Sequence, residues 1–285
     1  MKRVIINSQA ELEYKGKKIK FPHVLVSIIG ILKAKNDRKW DSLILVTGKV
    51  GSAKSTMAQG LAGVWQLLHN KELTIENFTW SAQGVVDFID AEGNEGDPII
   101  FDEAIKGGTG RDVMSKEGNM LKVGLVVGRR KRHFYIMIVD ELAEFNKKII
   151  SRANLLIDMR TLMCKGIETR GYFKIYNTKE LQQIYWLLKE KKINYISQYS
   201  AFSKPLFQFR NLEGVFINEK EYEDKKIEET RQQIGTGNIS WSDKKLKAFF
   251  LWASTKKKQV DIAEIIGVSA NSMTTWVRDF KKYNK

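Results

Sequence analysis

Two hydrophobic patterns alternate along the first two-thirds of this chain. Short continuous apolar runs occupy Leu43 to Val46, Pro98 to Phe101, Phe134 to Val139 and Leu155 to Ile157. Such runs predict strands buried on both faces. Tyr172 to Tyr176 predicts another strand. Between the runs, apolar residues recur at helical spacing. Lys54 to Leu68 places Met57, Leu61, Val64, Trp65 and Leu68 along one side. Ser81 reads as the N-cap of a helix carrying Val85, Val86 and Ile89. Val24 to Lys33, Met114 to Val127 and Lys179 to Lys191 read as further helices. At the start, Val4 to Ile6 suggests a short strand, and Glu11 to Phe21 a hairpin around Gly16. Strands that alternate with helices predict an α/β domain with a mainly parallel sheet flanked by helices.

The pattern changes after residue 195. Tyr195, Tyr199, Phe202, Phe207 and Phe209 suggest a satellite cluster on the core, and Glu219 to Arg231 a solvated linking helix. Lys244 to Ala253 predicts a helix with Leu246, Phe249, Phe250 and Trp252 for packing. The predicted organisation is therefore a domain at 1–195, a linker or satellite segment at 196–240 and a small all-α domain at 241–285.

Charge narrows the class of partner. The formal net charge is +15 and the isoelectric point about 9.6, which favours a polyanionic partner, nucleic acid or an acidic membrane surface, with nucleic acid preferred over a lysine-rich surface kept for solubility. Cys164 is the sole cysteine, so an intrachain disulfide and a cysteine-rich metal site are excluded. The polar start of the chain does not read as a signal peptide, and the apolar stretch Val24 to Leu32 is too short to span a bilayer. The expectation is a soluble cytoplasmic protein, in the host cytoplasm if the source is viral, with no membrane partner.

The segment after the first buried strand carries the chemistry. Gly48-Lys49-Val50-Gly51-Ser52-Ala53-Lys54-Ser55-Thr56 places a glycine-bearing loop between a strand and a helix. That order lets backbone N–H groups and a helix N-terminus surround a phosphate. Lys54 would reach the terminal phosphates, and the Ser55 hydroxyl would hold magnesium. Ala53 stands where a second glycine is expected, and its Cβ would be strained at a positive φ. The next buried strand ends in Asp102-Glu103. Asp102 would hold the magnesium through water, and Glu103 would polarise the attacking water, so Lys54 and Glu103 are the candidate catalytic residues.

Together these segments resemble the Walker A and Walker B pair of P-loop ATPases that carry a catalytic glutamate. The resemblance implies a RecA-like P-loop NTPase fold with ATP and Mg2+ as cofactors. It also implies a polar sensor at the tip of the strand Phe134 to Val139, where Asp140 and Glu141 are the candidates. An acid there departs from the family's usual neutral residue. Such ATPases also use an arginine opposite the departing phosphate, often from a neighbouring subunit; Arg129, Arg130 and Arg152 are candidates, with Arg132 and Arg160 behind them. Arg129 to Arg132 reads equally as a DNA-facing patch, and Gly107 to Arg111 as a mobile loop. The order of elements from Gly128 to Met159 is similar to the FtsK/HerA branch and to virus and phage DNA-packaging ATPases, which implies a homo-oligomeric ring.

The C-terminal segment Gln259 to Arg278 resembles a helix-turn-helix. Ala263 allows close helix crossing, Gly267 the turn, Val268 a core plug and Ser269 the cap of the second helix. Met273, Trp276 and Val277 would face inward, and Asn271, Ser272, Thr274, Thr275 and Arg278 outward toward base edges and phosphates. Lys256, Lys257 and Lys258 would add phosphate contacts; residues 241–285 hold ten Lys/Arg against four Asp/Glu.

These features predict a DNA-dependent ATPase of a virus, phage or mobile element, a packaging or translocating motor with DNA, copies of itself and other viral or mobile-element proteins as partners. An ATP-dependent transposition or replication loader shares the same motifs. A DNA-binding regulator switched by nucleotide is the third reading.

Overall fold

The computed structural model describes residues 5–91, 93–102, 121, 124–126, 128–164, 166–199, 204–209, 212, 214–236, 248 and 258–283. The strands among them are β1 Ile5–Ile6, β2 Gln9–Tyr14, β3 Lys17–Pro22, β4 Ser42–Gly48, β5 Phe78–Thr79, β6 Pro98–Phe101, β7 Phe134–Val139, β8 Leu155–Cys164, β9 Ile167–Asn177 and β10 Leu206–Gln208. The helices are α1 His23–Asp37, α2 Lys54–Leu68, α3 Ala82–Asp90, α4 Lys147–Arg152, α5 Thr178–Lys189, α6 Ile196–Tyr199, α7 Glu219–Thr236, α8 Gln259–Ile266 and α9 Ala270–Tyr283. Contacts divide the chain into one unit at 1–229 and a second at 230–285.

The first unit is built on an eight-stranded sheet in the order β1-β10-β9-β8-β4-β7-β6-β5. Strands β5, β6, β7, β4 and β8 run parallel, β9 runs antiparallel to β8, and β10 antiparallel to β9. The hairpin of β2 and β3 stands apart as a second sheet. β4 lies between β7 and β8, so the chain leaves it on one side and returns on the other. That reversal opens a crevice at the carboxyl end of β4, where open α/β sheets bind ligands.

Both faces of the sheet are covered, which is why its central strands read as unbroken apolar runs. Ile44, Val46, Ile100, Ile136 and Ile138 point into one core with α1, α2 and the hairpin. Leu43, Leu45, Ile99, Phe101, Tyr135, Met137 and Val139 point into the other with α3, α4 and α5. Each fully buried aliphatic side chain contributes about 1.5–3 kcal/mol. α2 is the central helix, and its Trp65 stacks on Phe134 with ring centroids 4.3 Å apart. At Gly63 a Cβ would lie 2.3 Å from the Phe216 ring, so glycine there lets an aromatic ring close on the helix backbone. The predicted Ser81 cap forms, accepting a hydrogen bond from the Gly84 N–H at 2.9 Å.

The segment expected as a linker or satellite is integral to the first unit as far as Glu229. β10 adds to the sheet edge, and Phe209, Leu212, Phe216, Ile217 and Tyr222 are buried in the α2-side core. The predicted strands at Leu155 and Tyr172 extend into one long antiparallel ribbon, β8 with β9. The helix expected at Met114 to Val127 and the loop Gly107 to Arg111 lie largely or wholly outside the described residues, as does most of the helix expected at Lys244 to Ala253.

In the second unit α8 and α9 are joined by Gly267, Val268 and Ser269. Gly267 takes φ 68°, and the Val268 N–H donates to the Ala263 carbonyl at 2.9 Å. The Ser269 hydroxyl accepts from the Ser272 N–H at 3.1 Å, capping α9. Ile262, Ala263, Met273 and Val277 are buried, with Val268 and Trp276 packed against them. Among the described residues no helix is long and apolar enough to cross a membrane.

Candidate nucleotide-binding site

β4 delivers the loop. Gly48 has φ 146°, and a Cβ on it would meet the Met159 carbonyl oxygen at 2.5 Å, because β8 presses against the loop. Gly51 follows at φ 77°, and Ala53 takes φ 71° with ψ 39° immediately before α2. The strain anticipated at this alanine is therefore present, at about 1–2 kcal/mol for a left-handed residue that is not glycine. Val50 protrudes from the loop tip, whereas Ser52 is buried and its Oγ has no hydrogen-bond partner. An orphaned hydroxyl inside a glycine-bearing turn suits an anion with oxygen acceptors.

Lys54 bridges the loop on itself. Its Nζ donates to the Gly48 carbonyl at 3.0 Å and the Lys49 carbonyl at 3.1 Å. The same Nζ lies 2.8 Å from Asp140 Oδ1. Asp140 follows β7, whose last residue Val139 pairs with Thr47 of β4, so register places this carboxylate beside the loop. Asp140 is the anion facing Lys54. Glu141 is exposed and precedes a 3-10 turn at Leu142–Glu144.

Asp102 follows β6, on the far side of β7 from β4. It is buried, and its Oδ2 accepts from Ser55 Oγ at 3.0 Å. The first residues of α2 and the tip of β6 thus meet through a hydroxyl and a carboxylate. Such hard oxygen donors fit magnesium, which keeps several waters and shares its shell with substrate phosphates. No group of three or more His, Cys, Asp or Glu among the described residues could hold a metal on its own. Glu103 lies outside the described residues.

Tyr222 joins the site without any motif to announce it. This residue of α7 is buried, and its hydroxyl donates a short hydrogen bond to the same Oδ2 of Asp102. Burial and then the adjacent Asp102 carboxylate raise its pKa, so the phenol stays protonated. Lys226 Nζ stands 3.9 Å from that oxygen. Only the single tyrosine within an otherwise charged helical stretch could have signalled this contact.

The arginines sort by the end of the sheet they occupy. Arg129 and Arg130 precede β7, and Arg152 precedes β8, so all three stand at the amino ends of the parallel strands, opposite the loop. Arg152 is engaged by Asp41 at 2.5 Å and by the Leu125 carbonyl at 3.1 Å. Arg132 pairs with Glu95 at 3.0 Å. Arg160 instead follows Met159, the residue paired with Gly48. Its Nε donates to Asp158 Oδ2 at 2.6 Å, and burial lifts the Asp158 carboxyl to about 6 against the lowering effect of Arg160.

In the second unit Asn271, Thr274, Thr275 and Arg278 are exposed on α9, and Ser272 is half-buried. The Thr274 and Thr275 hydroxyls donate back to the Ala270 and Asn271 carbonyls at 3.0 and 3.1 Å. Lys258 is exposed; Lys256 and Lys257 lie outside the described residues.

Compared with known proteins, the sequence matches no family model and no curated protein. Solved structures give loose likenesses. The N-terminal domain of zonular occludens toxin from Neisseria meningitidis is 12% identical with a TM-score of 0.42, over 61% of this chain and 96% of that one. The genome packaging NTPase B204 from Sulfolobus turreted icosahedral virus 2, in complex with AMP, is 15% identical with a TM-score of 0.35, over 50% and 94%. The flagellar accessory protein FlaH from Methanocaldococcus jannaschii is 13% identical with a TM-score of 0.31, over 60% and 87%. Likenesses at this level assign the chain to no family.

Proposed function

We propose that this chain is a DNA-dependent ATPase of a virus, phage or mobile element, acting as a packaging or translocating motor in a homo-oligomeric ring. The observation that carries the nucleotide half is the meeting of Ser55 Oγ and Asp102 Oδ2 at 3.0 Å, beside a loop that holds Lys54. In this reading the loop from Gly48 to Thr56 and the start of α2 hold the phosphates. Lys54 balances their charge, and Ser55 and Asp102 hold Mg2+, which when bound offsets charge on the transferring phosphoryl group. Glu103, the next residue in sequence after Asp102, orients the attacking water. Asp140 is the sensor candidate because it already touches Lys54.

The DNA half rests on charge and on α9. Asn271, Thr274, Thr275 and Arg278 form an exposed polar stripe on the second helix of a two-helix turn, which suits groove contact. A second cationic surface lies on the first unit. Buried Asn36 donates to the Trp40 and Arg132 carbonyls and ties two basic turns together. Trp40 is exposed beneath the Arg129 guanidinium, 5.6 Å from the ring centroid, with Arg38, Lys39 and Arg130 exposed nearby in sequence. Asp37 and Asp41 of the first turn pair with Lys33 and Arg152, and Glu95 pairs with Arg132 of the second. That leaves a surface rich in cations, suited to a phosphate backbone.

Two measurements test the proposal. ATP turnover should vanish in Asp102→Asn; turnover that persists refutes the site. Salt-dependent binding to double-stranded DNA should weaken in Arg278→Ala, and in Arg129→Gln the slope of log K against log salt should fall by about 0.9 if that residue neutralises one phosphate. A protein without affinity for DNA removes the motor and the loader alike. Displacement of a bound triplex strand separates the two, since a loader does not move along DNA.

A further inference from the structure

We propose that one face of α7 senses the state of Asp102: Tyr222 and Lys226 grip this carboxylate before metal and nucleotide arrive, and the grip loosens when Mg2+–triphosphate binds. The inference rests on the nucleotide-site reading above and adds a regulatory contact to it.

The contacts of α7 follow one helical stripe. Tyr222 packs its ring at 5.4 Å from both Phe78 and Trp80 and donates a hydrogen bond from its hydroxyl to Asp102. Lys225 Nζ donates to the Ile75 carbonyl at 3.2 Å and to Glu76 Oε2 at 3.0 Å. Lys226 stands 3.9 Å from Asp102 Oδ2. Glu229 Oε2 accepts from the Trp80 N–H at 3.0 Å. The positions 222, 225, 226 and 229 share the face expected of residues three, four and seven apart. The helix is therefore strapped to the edge strand β5 and to the candidate metal ligand beside it, although its sequence has almost no apolar stripe.

The sign of the coupling follows from charge. One oxygen of Asp102 accepts hydrogen bonds from two hydroxyls, those of Ser55 and Tyr222, and faces the ammonium of Lys226. These partners compensate the charge of a buried carboxylate. A divalent cation held by Ser55 and Asp102 draws on the same negative charge and repels Lys226. By linkage, whatever metal binding takes from the grip on α7, the grip takes from metal binding. A cavity of about 160 Å3 beside the site is lined by Ser55, Thr56 and Gln59 of α2 and by Tyr222, Glu223 and Lys226 of α7. The first unit ends at Glu229 while α7 continues to Thr236, so the stripe that touches Asp102 is covalently continuous with the chain of the second unit.

The test uses the full chain, a non-hydrolysable ATP analogue and two variants. Tyr222→Phe keeps the ring and removes the donor; Lys226→Gln removes the charge from a half-buried position. Each variant is expected to bind Mg2+–analogue about threefold to tenfold more tightly, the change a small coupling free energy gives, with affinity in EDTA unchanged. In the wild type, hydrogen exchange at amides 222–229 is expected to quicken on addition of Mg2+–analogue and not of analogue alone. Unaltered or weaker Mg2+-dependent binding in both variants overturns the inference, as does slowed or unchanged exchange on loading. A wild-type chain that binds no analogue under either condition overturns the nucleotide-site reading itself, and the inference with it.

Discussion

Asp140 is ion-paired with Lys54, and removing its charge gives a quantitative prediction. Its Oδ1 is 2.8 Å from Lys54 Nζ, with the lysine side chain 11% exposed and the aspartate 44%. A nucleotide must draw Lys54 from this carboxylate and bring several negative charges close to it. At about 5 Å, two unit charges interact by about 3 kcal/mol at an effective dielectric of 20 and by about 1 kcal/mol in water. The exposure of Asp140 puts the repulsion toward the lower value. Asp140→Asn keeps the shape and removes the charge, so triphosphate affinity should rise by about fivefold, the equivalent of about 1 kcal/mol. Titration calorimetry with a non-hydrolysable analogue measures it, with Glu141→Gln as the control because that side chain is exposed and not paired with Lys54. Equal or weaker binding in Asp140→Asn refutes the view that Asp140 competes with phosphate for Lys54.

Further outcomes follow from single residues. Ala53→Gly relieves the left-handed alanine at φ 71°; thermal unfolding should show a gain of about 0.5–1 kcal/mol, reduced from the full strain by the freer unfolded glycine. Gly63→Ala drives a methyl toward the Phe216 ring at 2.3 Å and should cost about 1–3 kcal/mol, measured by urea denaturation. His133 is buried, and desolvation chiefly lowers its pKa from 6.5 to about 4. Its folded value lies below its unfolded one, so the unfolded chain binds the extra proton between those limits. Stability is then complete above pH 6.5 and falls as the pH drops toward 4, by about 3 kcal/mol in all. Urea titrations across that range should show this acid limb, and His133→Gln should flatten it.

The parts of the fold legible in the sequence are those with a strong physical pattern. β4, β6 and β7 are covered on both faces, and their continuous apolar runs followed from that burial. α2 was legible because its apolar positions repeat along one side. β5 and β10 were not, since two or three residues carry no periodicity. The ribbon of β8 and β9 was half visible: its inner half is buried, while the outer half, with Met163 and Ile167 exposed, lacks the alternation of a half-buried sheet. α7 reads as a solvated link in sequence because its docking uses Tyr222, Lys225, Lys226 and Glu229, mostly charged residues whose partners are distant in sequence. Asp140 was visible as the tip of a strand, yet its pairing with Lys54 depended on the register of β7 with β4.

The central claim is that a nucleotide site drives work on DNA. The most direct measurement is steady-state ATP hydrolysis with and without double-stranded DNA, in the wild type, Lys54→Ala and Arg278→Ala. The account predicts turnover that DNA stimulates, that Lys54→Ala abolishes, and whose stimulation weakens in Arg278→Ala while the DNA-free rate stays unchanged. A rate indifferent to DNA, or turnover that survives Lys54→Ala, contradicts it.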